Sequence, residues 1–307
     1  MRVAVTGATG VIGRQAIGAM LERGDQVIAL TRDPDQARDK LGGRIDAHAW
    51  ADPKHTPPPT AALEQADAVL HLLGEPIAQR WTDDAKREIR DSRVLSTNSL
   101  VAAIAALPDG RRPRTLVSQS ATGYYGPRGD EPVQESDAAG HDFLAEVTVD
   151  WEREAQQAAA SGVRVATTRT GVVLSPQGGA LEKMLPPFKL GVGGPVAGGK
   201  QYVPWIHLDD VVGAMLRCLD DEAATGPVNV TAPTPVTNAE LSKTLGRVLH
   251  RPAVLPVPGL ALKALYGEMA TIVLTGQRAV PARLGELGYA FRHPELEAAL
   301  RDVLSGS

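Results

Sequence analysis

Cysteine and long apolar runs are both scarce in this chain. The one cysteine, Cys218, excludes a disulfide within the chain, and its place on the apolar face of a predicted helix favours core packing over a nucleophile. No apolar run approaches the roughly 18 residues that span a bilayer. The first residues also lack a basic and apolar signal segment. We therefore expect a cytoplasmic protein with no membrane partner.

The chain also lacks an excess of positive charge. The 307 residues include 32 Lys and Arg against 36 Asp and Glu, a net charge of −4, and no long basic run interrupts them. This balance argues against a nucleic-acid partner. A hydrophobic fraction of 43% is enough for a large core. With nucleic acid and membrane excluded, the expected partner is a small molecule. No feature of the sequence sets an oligomeric state.

Three glycines spaced by threes follow the first apolar segment. The run Arg2-Val-Ala-Val-Thr6 predicts a buried strand, and Gly7, Gly10 and Gly13 come directly after it. In a phosphate-binding turn the first glycine permits the sharp exit, the second lets a pyrophosphate approach the backbone, and the third lets the helix pack closely. A helical pattern and a second strand at 26–31 complete a βαβ unit, which favours a dinucleotide site over a purely structural turn.

Strand and helix patterns alternate through most of the chain. Such alternation predicts an α/β fold with a doubly wound parallel sheet of the Rossmann type. The loops after successive strands should then converge on one crevice. We predict a nucleotide-binding domain over residues 1–253, including a glycine-rich pocket loop at 190–201, and a small helical C-terminal domain over 254–307. Leu260, Leu262, Leu265, Tyr266, Met269 and Leu274 predict that this second domain packs toward the crevice.

The end of the second strand indicates which cofactor fits. Enzymes that use NAD commonly place an acid there to bind the ribose 2′-hydroxyl, whereas this chain has Thr31 and Arg32 before Asp33. A guanidinium can bind a 2′-phosphate in bidentate fashion. The pattern therefore predicts NADP(H), with a solvent-facing arginine as the alternative.

Motifs along nearly the whole chain resemble one known family. They are Val5-Thr-Gly-Ala-Thr-Gly-Val-Ile-Gly13, Leu72-Leu-Gly-Glu-Pro-Ile77, Glu88-Ile-Arg-Asp-Ser-Arg93, Ser120-Ala-Thr-Gly-Tyr-Tyr-Gly126, Phe143-Leu-Ala-Glu146, Arg169-Thr-Gly-Val-Val-Leu-Ser175, Trp205-Ile-His-Leu-Asp-Asp210, Gly267-Glu-Met-Ala270 and Gly276-Gln-Arg-Ala-Val-Pro281. In these segments the chain resembles atypical short-chain dehydrogenases/reductases of the extended type, in particular the epimerase family proteins.

The resemblance implies an NADP-binding fold and a set of cofactor contacts. These contacts are Gly7, Thr9, Gly10, Val11, Ile12, Gly13, Thr31, Arg32, Leu72, Leu73, Gly74, Glu88, Arg93 and Val173. From the residues alone, Leu72 and Leu73 end a strand at the crevice, and Arg93 offers a second cation. The alternative for Glu88 and Arg93 is a pair on the helix surface.

The chain departs from the wider superfamily at the proton-transfer residues. Those enzymes carry a Tyr and, four residues later, a Lys that lowers the phenol pKa. The corresponding helix here, Phe143 to Trp151, contains neither residue. Ser120 and Tyr124 are the remaining catalytic candidates, although they could only line the pocket. Further predicted pocket residues are Glu75, Thr122, Gln201 and His207. For His207 the alternative is a structural role beside an Asp209 helix cap.

No group of His, Cys, Asp and Glu has metal-ligand spacing, so we predict no metal. His71 lies inside an apolar strand and is interpreted as a core residue. The sequence thus predicts an NADP(H)-dependent oxidoreductase or epimerase that acts on a small carbonyl or hydroxyl compound. The alternative is a non-catalytic NADP(H)-binding sensor that a partner protein reads.

Overall fold

The computed structural model describes residues 1–305; the last two residues of the predicted C-terminal domain, 306 and 307, lie outside it. Strands and helices alternate along the chain, as the apolar patterns predict. The strands are β1 (Arg2–Thr6), β2 (Gln26–Thr31), β3 (Ile45–Ala49), β4 (Ala68–His71), β5 (Thr115–Ala121), β6 (Pro132–Val133), β7 (Arg164–Thr170), β8 (Val172–Leu174), β9 (Tyr202–Val203), β10 (Trp205–His207), β11 (Gly226–Val230), β12 (Val236–Thr237) and β13 (Arg278–Ala279).

Twelve α-helices connect these strands within residues 1–305. They are α1 (Val11–Glu22), α2 (Pro34–Leu41), α3 (Thr60–Glu64), α4 (Asp83–Ala106), α5 (Phe143–Gln156), α6 (Gly179–Lys189), α7 (Leu208–Asp220), α8 (Asn238–Val248), α9 (Gly259–Tyr266), α10 (Thr271–Leu274), α11 (Ala282–Glu286) and α12 (Leu296–Ser305). Short 3₁₀ turns cover Thr122–Tyr125, Gln157–Ser161 and Gly267–Ala270. Among residues 1–305, no helix combines the length and the apolar character needed to cross a bilayer.

Seven strands form one parallel sheet in the order β11-β7-β5-β4-β1-β2-β3. This confirms the doubly wound α/β prediction. Strand β1 is central, with β2 on one side and β4 on the other. The remaining pairs are short ribbons at the margin: β8 with β10, β9 with β12, and β6 with β13.

The two faces of the sheet are covered by separate apolar layers. Val3 and Val5 of β1 lie in the core formed with α1 and α7, and Cys218 is buried in that same core. Ala4 faces the opposite core, formed with α4 and α5. Burial raises the pKa of the Cys218 thiol to about 12. Core packing is therefore the role of Cys218 in this fold.

The C-terminal segment is anchored to the sheet layers through its later part. Leu284 and Leu287 are buried in the core between the sheet and α1 and α7. Asp210 is fully buried and accepts hydrogen bonds from the Tyr289 hydroxyl and from the peptide N–H groups of residues 292 and 293. The apolar residues of α12 complete a third core with α8 and α6.

The earlier part of that segment does not match the sequence-based expectation. Only Met269 is buried among the six residues expected to find an apolar partner, whereas Leu260, Leu265 and Tyr266 are exposed. Leu262 and Leu274 are half-buried. The expectation assumed that the apolar face of α9 packs inward, but anchoring falls to residues beyond 282.

His71 is a core residue with both ring nitrogens hydrogen-bonded. Thr97 donates its hydroxyl proton to the Arg93 carbonyl, so Thr97 accepts from His71 Nε2 at 2.9 Å. Thr6 accepts from the Leu72 peptide and donates to His71 Nδ1 at 2.8 Å. Burial lowers the pKa of His71 to about 4. This arrangement favours a neutral imidazole.

We expect the free energy of unfolding to fall as the pH drops from about 7.5 to about 5. Unfolded His71 takes up a proton below about pH 6.5, whereas the folded side chain does so only near pH 4. The contribution of His71 is therefore present above pH 6.5 and is lost on acidification, by about 2 kcal/mol at pH 5. Urea unfolding of wild type and His71→Asn at both pH values checks this. Equal pH dependence in the two proteins would contradict it.

Candidate functional site

The glycine turn lies at the centre of the sheet, where the strand order reverses. From β1 the chain continues outward through β2 and β3 on one side, and later through β4, β5, β7 and β11 on the other. A crevice forms at such a reversal, outside the carboxyl ends of the strands, and ligands of open α/β sheets bind there. The loops after β1, β2, β4 and β5 therefore surround one site.

The three glycines of the turn differ in their backbone conformation and in the space that surrounds them. Gly7 has a φ of +64°, and a Cβ there would lie 2.7 Å from the Leu72 carbonyl oxygen. A Cβ at Gly13 would lie 2.3 Å from the Gly7 carbonyl oxygen. Gly10 has an ordinary φ of −71°, and its Cβ would approach only the Gly7 oxygen, at 3.2 Å. The fold thus requires Gly7 and Gly13, whereas Gly10 leaves open space above the turn.

Helix α1 begins without a side-chain cap and without an acid in its first turn. Three other helices that cover the sheet have side-chain caps: Asp33 caps α2, Thr82 caps α4 and Asp142 caps α5. The first peptide N–H groups of a helix lack acceptors inside the helix. At α1 they face the crevice, where they can bind an anion.

Arg32 follows β2 at the edge of the crevice and has a free guanidinium. It forms no hydrogen bond or ion pair with any other residue between 1 and 305. The neighbouring acid is already engaged, because the Asp33 carboxylate accepts the Gln36 peptide N–H at 2.9 Å and begins α2. Asp33 thus serves as a helix cap, and Arg32 is exposed beside it, as both the cofactor prediction and its solvent-facing alternative require. Thr31 lies beside them, and its hydroxyl accepts the Asp33 N–H at 3.3 Å.

The loop after β4 places a second guanidinium beside the crevice. Arg93 donates to the carbonyl oxygens of Ile89 and Glu75 and has no carboxylate partner within residues 1–305. Burial lowers the pKa of Arg93 to about 10. A Cβ at Gly74 would lie 3.0 Å from the Arg93 Cζ atom. The glycine lets the loop from Leu72 to Glu75 pass directly over this cation.

Glu88 and Arg93 do not form the surface pair that the sequence left open. Glu88 binds Lys54, with Nζ to Oε2 at 2.8 Å.

On the far side of the crevice, Val173 of β8 packs against the core that holds α1. The loop that follows β8 returns to the glycine turn, since a Cβ at Gly178 would lie 2.8 Å from Val11.

A buried ion pair lies behind the end of β5, and sequence reasoning missed it. Arg169 of β7 binds both oxygens of Glu152 on α5 at 2.8 Å. Burial alone would lower the pKa of Arg169, but the hydrogen bonds and charge of Glu152 hold it above its usual value. The same guanidinium stacks on the Tyr124 ring, 3.4 Å from its centroid. It also donates to the Tyr125 hydroxyl.

The two catalytic candidates, Ser120 and Tyr124, contact this ion pair in different ways. Ser120 is fully buried and donates its hydroxyl to Glu152 at 2.5 Å, so it contacts the ion pair instead of the crevice surface. Tyr124 is half-buried, and its hydroxyl has no partner in residues 1–305. The geometry therefore favours Tyr124, whose hydroxyl is free, over Ser120, whose hydroxyl is bound to Glu152.

Helix α5 presents Leu144 and Thr148 to the end of β5. A Cβ at Gly123 would lie 3.5 Å from the Leu144 Cβ and 3.9 Å from the Thr148 hydroxyl. Thr148 donates to the Leu144 carbonyl oxygen at 2.6 Å. Neither side chain supplies the phenol or the ammonium group on which the wider superfamily depends.

The predicted pocket residues are mostly engaged in holding loops. Gln201 donates its amide to the carbonyl oxygens of Val196 and Val273, so it joins the pocket loop to α10. Thr122 is buried, and its carbonyl oxygen accepts the Gln277 amide at 2.7 Å. Glu75 is half-buried, and only its backbone is hydrogen-bonded to α4. Of this set, the Glu75 carboxylate and the Thr122 hydroxyl have no hydrogen-bond partner within residues 1–305.

His207 is buried and caps a helix. Its Nδ1 accepts the Asp209 peptide N–H at 3.1 Å at the start of α7. The structural alternative is therefore right in substance but wrong in detail: His207 is the N-cap and Asp209 lies inside the helix. Burial, and then the charge of His293, lower the pKa of His207.

The fold brings His207, Asp209 and His293 together, with their ligand atoms within 4.8 Å of one another. Sequence spacing did not reveal this group, because His293 arrives from the C-terminal segment. A histidine that binds a metal through one nitrogen normally donates a proton through the other. Nδ1 of His207 is instead an acceptor, so the proton lies on Nε2, which faces Asp302 at 3.2 Å. This protonation disfavours a metal here.

Comparison with known proteins agrees with this architecture over the whole chain. A family model described as the NAD dependent epimerase/dehydratase family matches residues 3–231. A second, a domain of unknown function (DUF1731), matches residues 257–303. The chain is 39% identical to an Arabidopsis thaliana protein named epimerase family protein SDR39U1 homolog, chloroplastic, over 99% of this chain and 87% of that protein.

Two further similarities have the same extent. An epimerase family protein of Mycobacterium bovis is 40% identical over 97% of this chain and 96% of its own length. The crystal structure of human epimerase family protein SDR39U1 with NADPH superposes with a TM-score of 0.86 at 32% identity, covering 100% of both chains.

Proposed function

Because the chain belongs to the NAD-dependent epimerase/dehydratase family, we propose that it is a cytoplasmic NADP(H)-binding oxidoreductase or epimerase that acts on a small carbonyl or hydroxyl compound. The observation that carries the proposal is the pairing of a free Arg32 with an Asp33 already used as a helix cap. The similar human protein, which was crystallised with NADPH, supports it.

Each part of the cofactor meets a residue of suitable chemistry. Arg32 binds the 2′-phosphate, because its guanidinium is exposed and unpaired. The space above Gly10 and the uncapped start of α1 receive the pyrophosphate. Arg93 supplies a further cation beside Gly74. When bound, NADP(H) gives or accepts the hydride.

The chain's own contribution to proton transfer falls to Tyr124. Its hydroxyl has no partner within residues 1–305, and the Arg169 guanidinium stacks on its ring and holds the side chain beside the end of β5. Glu152 fixes that guanidinium in turn through a bidentate pair. The free Tyr124 hydroxyl is therefore the group that we assign to proton transfer in place of the missing Tyr and Lys pair.

A second candidate function is a non-catalytic NADP(H)-binding sensor. The observation that favours it is the inert face of α5, where Leu144 and Thr148 lie beside Gly123. In that function cofactor binding stabilises one arrangement of the crevice loops, and a partner protein recognises that arrangement.

The Arg32→Ala variant tests the cofactor assignment. We expect the variant to bind NADPH about 10- to 150-fold more weakly, since a charge-assisted hydrogen bond contributes about 1.5–3 kcal/mol, and to bind NADH unchanged. Calorimetric titration of both cofactors measures this. The matched control is Arg44→Ala, because Arg44 is also exposed but lies before β3, at the opposite end of the sheet. If Arg32→Ala still prefers NADPH to NADH, Arg32 does not bind the 2′-phosphate.

The Tyr124→Phe variant distinguishes the two functions. If the chain is an enzyme, turnover should fall by about 10²–10⁴-fold, because positioned acid–base groups contribute that much, while NADPH affinity stays unchanged. NADPH absorbance with a panel of carbonyl compounds and nucleotide sugars provides the assay. If no compound oxidises bound NADPH, and a pull-down recovers a partner only when NADP(H) is present, the sensor function is the correct one.

A further inference from the structure

Exposed large apolar side chains are concentrated in two segments of the chain. Within residues 1–305 nine such side chains are exposed, and eight of them lie at 190–192 and 254–273. We call these eight the apolar ridge: Leu190, Val192, Val254, Leu255, Leu260, Leu265, Tyr266 and Val273. Apolar surface concentrated in this way marks an interaction site.

The two segments are joined into one surface. The Ala197 and Val257 backbones are hydrogen-bonded, with N to O at 3.0 Å, and Arg251 donates to the Lys189 carbonyl oxygen. Glycines permit the close approach, since a Cβ at Gly194 would lie 2.1 Å from the Leu255 carbonyl oxygen. The apolar ridge is therefore a feature of the folded chain and not of two unrelated loops.

Positive charge surrounds the apolar ridge, although the whole chain is negative. No Asp or Glu occurs in residues 183–208 or in 241–267, whereas the chain as a whole carries a net charge of −4. The cations of these segments include Lys189, Lys200, Arg251 and Lys263, all of them exposed. None of these four forms an ion pair with another residue in 1–305. Their charge is available to an external anionic surface.

We propose that the apolar ridge and its cations dock the protein on an anionic lipid bilayer. Leu260, Leu190 and Val254 are 81%, 78% and 76% exposed, so they protrude instead of lining a groove. Protruding apolar side chains enter the headgroup region, while neighbouring Lys and Arg bind anionic lipids. A second copy of the chain fits less well, because a two-fold contact would place two surfaces of the same positive charge against each other.

This proposal departs from the expectation of no membrane partner. That expectation followed from the absence of a long apolar run, which excludes a spanning helix. Peripheral binding needs only an apolar face with adjacent cations. Leu190 and Val192 begin the predicted pocket loop at 190–201. The inference nevertheless does not depend on the proposed function, since none of the eight residues is among the proposed cofactor-binding or catalytic residues.

Vesicle sedimentation of the full chain tests the proposal. Vesicles of phosphatidylcholine alone are compared with vesicles that also contain phosphatidylglycerol, at low and high salt. We expect binding to the anionic vesicles only, weakened by salt. Lys263→Glu should lower the partition coefficient by at least about fivefold, because each cation near the surface contributes about that factor. The Leu260→Ser, Leu265→Ser double variant should bind more weakly still.

The controls separate docking from folding and from general charge. Lys40→Glu changes the net charge equally but lies on α2, outside the ridge, and should bind like wild type. All variants should keep their melting temperature and their NADPH affinity. Absence of binding to anionic vesicles at low salt would overturn the proposal, as would equal loss in Lys40→Glu. A wild-type dimer that the double leucine variant converts to a monomer, without vesicle binding, would assign the ridge to a second copy.

Discussion

Gly10→Val is expected to weaken NADPH binding by at least about 100-fold while leaving the fold intact. The backbone at Gly10 has an ordinary φ of −71°, so a β-branched residue fits the chain conformation. Its side chain would occupy the space above the turn, where the pyrophosphate approaches the first N–H groups of α1. Loss of two charge-assisted hydrogen bonds, at about 1.5–3 kcal/mol each, gives a factor of this size.

Gly18→Val is the matched control for this variant. Gly18 lies on the same helix, and a Cβ there would meet no atom within 4 Å. We expect it to bind NADPH normally and to unfold at a temperature similar to that of wild type. Cofactor fluorescence and circular dichroism give the two readouts. Normal binding by Gly10→Val would show that the turn is structural.

Truncation of the chain before Pro256 is expected to give an unfolded or aggregating protein. The deletion removes Leu284 and Leu287 from the core beneath α7 and leaves buried Asp210 without its three donors. A buried carboxylate that loses its partners costs about 3–5 kcal/mol, a large share of the stability of an ordinary domain. Expression yield and size-exclusion chromatography measure the outcome.

A point variant keeps this prediction testable if the truncated chain cannot be purified. Asp210→Asn retains the size of the side chain but removes the charge and one of its two acceptor oxygens, so it should lower the free energy of unfolding by about 3 kcal/mol. Asp220→Asn, at an exposed ion pair with Arg23, should change it by less than about 1 kcal/mol. A soluble truncated protein with an unchanged melting temperature would show that residues 256–305 form a separate module.

Local patterns predicted the sheet and the glycine turn well, because both depend on short-range rules. The predicted strand at 26–31 coincides with β2. Strand alternation and glycine spacing are set by backbone geometry within a few residues. The same is true of Arg32, whose position follows from the end of β2.

Features that depend on distant residues could not be predicted in this way. Helix α6 contains Pro186 and Pro187, which ordinarily indicate a break, and tertiary packing of its apolar face overrides that signal. The Glu152 and Arg169 pair joins α5 to β7, and no local spacing connects them. His293 reaches His207 only because the C-terminal segment folds back onto α7.

We propose above that the crevice at the glycine turn binds NADP(H) through Arg32. A crystal structure of the purified chain with NADPH tests it most directly. We expect the 2′-phosphate within hydrogen-bonding distance of the Arg32 guanidinium and the pyrophosphate above Gly10 at the start of α1. Crystals grown at saturating NADPH that show no cofactor there, or that place the 2′-phosphate away from Arg32, would contradict it.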